Sequence, residues 1–186
     1  MLRKIFGKED LAMFQSIIGT QFISYECGIG EIQFNRAYGN MRLNFSDFSI
    51  ELENIEKPTT YCDQTDDISG FSCRMCSLSQ EFKPYIEEET VVTDVFELVT
   101  SVEIVEDTVH VNNDCEICFS SALIIRTQTR NYMFYKTYQY NENILFSDLD
   151  NYDLVYPIHN VIEDWNNDGE NQVSVERNTR IVTNLI

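Results

Sequence analysis

Apolar residues recur at two different spacings along this chain. Leu11, Phe14 and Ile18 stand three and four apart and are followed by Gly19, which predicts one helix over residues 8–18. Beyond Gly19 the period drops to two. Residues 21–26, 31–37 and 41–45 read as short strands, with Gly28, Gly30 and Gly39 near their turns. Leu43 and Phe45 share one parity while Phe48, Ile50 and Leu52 share the other, so a bulge or tight turn is expected at Ser46-Asp47.

Further strands are expected over residues 71–78, 91–105, 117–127 and 132–140, with 59–70 as a polar connection between them. Glu106-Asp107 reads as a turn into a short return strand over 108–111. Residues 160–165 suit a short helix or strand, and 173–177 with 179–184 suit a closing hairpin. No helical stretch is long enough for repeated parallel crossovers. The pattern therefore predicts a mainly β fold, an antiparallel sandwich or partly open barrel with one N-terminal helix, in a single compact domain. An echo runs through it: Phe45-Ser46-Asp47 recurs as Phe146-Ser147-Asp148. Read as a repeat, it would divide the chain into two similar β halves, 1–86 and 87–186; two β-meanders with similar turn chemistry give the same match.

Charge changes the picture more than composition does. Thirty-one acids face thirteen bases, for a net charge of −18. No Lys or Arg falls between Lys83 and Arg126, or between Lys136 and Arg177, and these stretches are rich in acids. Such a chain repels nucleic acid and anionic membranes and attracts cations or basic proteins. A hydrophobic content of 43% is enough for a core. No run of apolar residues approaches the roughly 18 needed to span a bilayer. Charges also break the N-terminus before any signal-like stretch, so a cytoplasmic protein with reduced thiols is expected.

Two motifs invite chemistry. Cys73-x-x-Cys76 and Cys115-x-x-Cys118 together carry four thiols, the number that closes a tetrahedral zinc site. Residues three apart on a strand point to opposite faces, however, so buried free cysteines explain them as well. Asp164, Asn166, Asp168 and Gly169 copy the opening of a calcium loop, but the closing Glu is displaced to position 176, and an acidic turn accounts for the same residues. There is no phosphate-binding glycine loop, nucleophile elbow or zinc-protease motif, and His110 and His159 stand outside any catalytic pattern.

Tyr132, Phe134, Tyr138 and Tyr140 share one strand face, which suits either an aromatic binding platform or a half-buried sheet surface. The sequence thus points to a non-enzymatic acidic protein that binds a basic partner, in the manner of an immunity protein covering a toxin or nuclease. Glu87, Glu88, Glu89, Glu106, Asp107, Asp148, Asp150 and Asp153 are the expected partner contacts. The alternatives are a zinc-stabilised β domain built on Cys73, Cys76, Cys115 and Cys118, or an enzyme acting on a small molecule without a recognisable motif.

Overall fold

The computed structural model describes residues 1–28, 35–62, 64–86, 89–112, 114–137, 140–149, 151–166 and 172–183. The expected helix is present as α1 (Lys8–Ile17), which buries Phe14 and Ile17. At its start the Asp10 carboxylate accepts the Gly7 N–H at 2.7 Å, satisfying a donor that a helix leaves free. Gly19 ends it with a φ of 86°, a backbone that side-chain-bearing residues avoid.

The rest is mainly antiparallel sheet. Its strands are β1 (Leu2–Lys4), β2 (Gln21–Gly28), β3 (Arg36–Tyr38), β4 (Asn40–Phe45), β5 (Ser49–Tyr61), β6 (Gln64–Cys76), β7 (Thr90–Val111), β8 (Cys115–Thr127), β9 (Asn131–Tyr135), β10 (Asn143–Ser147) and β11 (Val173–Val182). Two short helices, α2 (Tyr152–Val155) and α3 (Ile158–Trp165), precede β11. The strands form an open sandwich in which β7 serves both layers. Its first half, to Leu98, pairs with β2, and β4, β5 and β6 continue that layer outward. Its second half lies between β8 and β11, and β9, β10 and β3 extend the other layer. β1 lies parallel to β8. Where β7 passes between layers it bulges: Glu97 faces Phe22 but Asp94 faces Ser24, and Phe96 takes a φ of 58°.

Phe22, Leu43, Phe45, Ile50, Ile104, Leu123 and Phe134 belong to the core between the layers. The opposite face of the β8 layer carries Val109, Phe119 and Ile124, packed with Tyr152, Tyr156 and Val161 of the α2–α3 segment. β8 is therefore covered on both faces, which explains why its apolar residues run almost continuously instead of alternating. Lysines tie the layers together: Lys4 Nζ donates to the Ile68 carbonyl at 2.6 Å, and the buried Lys136 Nζ donates to the Ser69 carbonyl at 2.8 Å. Among the described residues, no helix is long and apolar enough to cross a membrane.

Three local expectations are corrected. Residues 59–70 are not a polar connection, because most of them extend the β5–β6 hairpin, whose strands pair from Ser49↔Cys76 to Tyr61↔Gln64. Glu106-Asp107 is not a turn, since β7 runs on to Val111. Nor does β11 fold into a hairpin: it is one strand laid along β7 from Val102 to Val111. The last two corrections share a cause. β11 brings Arg180 to Glu106 and Arg177 to Asp107, so charges that would break an isolated strand are neutralised from across the ladder.

Candidate functional site

The acids nominated from sequence separate into different environments. Glu87, Glu88 and Asp150 lie outside the described residues. Glu89 is exposed just before β7. Glu106 is half-buried and accepts from Arg180 Nη2 at 2.6 Å. Asp107 is 0% exposed, so its assignment as a partner contact is overturned. Its carboxylate accepts from Arg177 Nε and Nη2 at 2.7 and 2.9 Å and from the Ser121 hydroxyl at 2.6 Å, so both of its oxygens are engaged inside the protein. Asp153 is exposed and accepts from Arg177 Nη1 at 2.7 Å. Asp148 is exposed beyond the end of β10, in different surroundings.

The cysteines are also separated. Cys73 packs against the core between the layers, while Cys76 places its Sγ 3.8 Å from Glu51 Oε2. This is the opposite-face outcome that strand geometry imposes on residues three apart. Cys115 forms a disulfide with Cys62, their Cα atoms 5.4 Å apart, and Cys118 is buried in β8 as a free thiol. The four-cysteine cluster of the zinc alternative is therefore not assembled. Among the described residues, no group of three or more His, Cys, Asp or Glu side chains is placed to hold a metal. The disulfide also corrects the expectation that all six thiols are reduced. Of the calcium-like sequence, Asp164 sits in α3 and accepts the Tyr156 hydroxyl, whereas Asp168 and Gly169 lie outside the described residues.

One feature gathers residues from both layers. A cavity of about 300 Å³ opens between β2 and the start of β7 on one side and β9 and β10 on the other. Its walls are Tyr25, Tyr132, Phe134 and Phe146, and Asp94 and Asp148 stand at it as exposed carboxylates. The Tyr25 ring meets Phe146 at 5.4 Å and Phe134 at 6.0 Å between centroids, both edge to face. Behind them the fully buried Phe22 meets Tyr132 at 5.3 Å.

The polar groups around the rings form a connected set. Tyr132 donates its hydroxyl to Glu97 Oε1 at 3.1 Å, and Thr127 Oγ1 donates to the other oxygen. Arg130 also lines the cavity, with its Nε 3.7 Å from Glu97. Burial alone would raise the Glu97 carboxyl, but hydrogen bonds from Thr127, Thr129 and Tyr132 bring it below its ordinary value. Burial, followed by the Glu97 hydrogen bond and charge, pushes Tyr132 up to about 12. Tyr25 is raised mainly by burial, with the Asp148 charge adding to the effect. At neutral pH the tyrosines are therefore uncharged rings beneath a mostly negative rim.

Sequence reasoning had picked out two of these walls, Tyr132 and Phe134, by strand alternation, and Asp148 by charge. It missed Tyr25, Asp94, Phe146 and Arg130 as parts of one site. Only the Phe146-Ser147-Asp148 tripeptide carried a signal, by setting a ring and a carboxylate two residues apart. Comparison with protein families, curated proteins and solved structures gives no match to this chain, so the reading of the site rests on its own geometry.

Proposed function

We propose that this chain is a non-enzymatic acidic binding protein that engages a basic protein partner in the cytoplasm, neutralising a toxin such as a nuclease by covering its basic site. The observation that carries this reading is the aromatic cavity beneath Asp94 and Asp148, in a chain of net charge −18. A long-range negative field accelerates encounter with a basic surface, while desolvated aromatic pockets are where binding energy concentrates. Glu89, Asp148 and Asp153 are the exposed, described members of the nominated contact set. Asp107 serves the interior instead.

The test is capture of a basic partner by the full chain, inhibition of that partner's activity, and association kinetics across a salt series. Association is expected to slow steeply as salt rises from about 0.05 to 0.5 M, with dissociation changing little. Failure to recover a basic protein, or an association rate indifferent to salt, defeats the proposal.

A further inference from the structure

We propose that the cavity between β2, β7, β9 and β10 is an organic-cation site that receives the head of a Lys or Arg side chain from the partner. The identity of the donor rests on the reading above; the chemistry of the cavity does not. Aromatic rings carry negative faces, and a cation within about 6 Å of a ring centroid is attracted to them, more strongly when water is excluded. Tyr25, Tyr132, Phe134 and Phe146 line one cavity; Tyr25 and Tyr132 are half-buried and hold the accessible ring surface, while Phe134 and Phe146 are buried in the core. A small alkylammonium or guanidinium is drawn by the rings and by the carboxylates together, whereas an apolar ligand would use only the rings.

Charge decides against an anion. Among the described residues that line the cavity, Arg130 is the one base; its side chain is 67% exposed and already offset by Glu97, which leaves Asp94 and Asp148 uncompensated by it. A phosphate would meet one guanidinium, already paired with Glu97, against the two lining carboxylates of Asp94 and Asp148. At about 300 Å³ the space stands at the small end of ligand sites and suits a side-chain head better than a nucleotide. Along the same strand as Asp94, the side chains of Val92, Phe96 and Leu98 are exposed. They give a protein partner apolar contact beside the cavity, the arrangement that shields a central anchor from water.

The experiment uses the full chain with isotope-labelled aromatic rings, followed by NMR at low salt. Arginine ethyl ester and tetramethylammonium are titrated separately, with inorganic phosphate as the competing chemistry. The cations are expected to shift the Tyr25 and Tyr132 ring signals saturably, and phosphate is expected to leave them in place. Asp94→Asn combined with Asp148→Asn removes only exposed charge; it should not lower the melting temperature and should weaken the cations about fivefold. Saturable shifts with phosphate alone, no saturable shift with either cation, or unchanged cation affinity in the double variant each overturns the proposal.

The same variant separates this inference from the function it rests on. A basic partner that binds the double variant as tightly as wild type removes the cavity from the interface and leaves the partner reading standing. Cation binding by the isolated chain without any recoverable basic partner supports the site and removes its assignment to a protein side chain.

Discussion

Arg177 binds Asp107 through two nitrogens, passes a third to Asp153 and the Tyr156 carbonyl, and lies 4.4 Å above the Tyr152 ring. A buried pair of this kind is costly to break because the surviving charge has no water to turn to. Arg177→Met is expected to cost about 3–5 kcal/mol in urea unfolding, and adding Asp107→Asn should recover part of that loss. Lys136 poses the reverse problem. It is 1% exposed, with its ammonium 4.9 Å from the centre of the Phe119 ring. Burial first, and then Lys4, lower its pKa from 10.5 to about 7, against the opposing pull of Asp107. Between those two values the unfolded chain holds a proton that the folded chain has released, so this group makes stability rise with pH. The wild type should therefore gain stability relative to Lys136→Met as pH climbs from 7 toward 10.5, and urea midpoints of the two proteins measured in parallel check it.

At the scale of elements, β7 organises the molecule, and it is also where sequence reading stopped short. Its alternation through Val102 and Ile104 was legible. Its continuation through Glu106 and Asp107 was not, because their partners stand on β11, some seventy residues later. The β5–β6 extension was hidden for a similar reason: Thr59, Thr60, Asp66 and Asp67 show no apolar alternation, and what makes them strand is pairing with each other. The Cys62–Cys115 disulfide joins the turn of that hairpin to the first residue of β8. Its separation of 53 residues closes a long loop in the unfolded chain. Reduction, or Cys62→Ser with Cys115→Ser, should lower stability by about 2–4 kcal/mol while leaving the far-ultraviolet circular dichroism of the sheets intact.

For the whole molecule, the charge of −18 acts on folding as well as on binding. Arg42, Arg74, Arg126, Arg177 and Arg180 are drawn into pairs with carboxylates, and the acids left over repel one another across the surface. Screening that repulsion should raise the melting temperature as sodium chloride is added over about 0.05 to 0.5 M, with no partner present. The same salt that strengthens the isolated fold is expected to slow its encounter with a basic protein. Opposite responses in the two measurements would place both effects in one long-range field.

The sequence by itself determined α1, the β-dominated class, most strand positions and the negative balance, because each depends on local periodicity or on composition. Only the tertiary structure decided which polar groups go inside, which cysteines meet, and where an aromatic cavity forms. Tyr25, Asp94, Tyr132 and Phe146 come from four strands, and the chain order keeps Tyr25 on β2, Asp94 on β7 and the β9–β10 pair far from one another. They converge because the layers pair in one register, and a one-residue slip in any of those strands would turn its side chain to the other face. Register of that kind is fixed by contacts across the whole chain, which no window of the sequence contains.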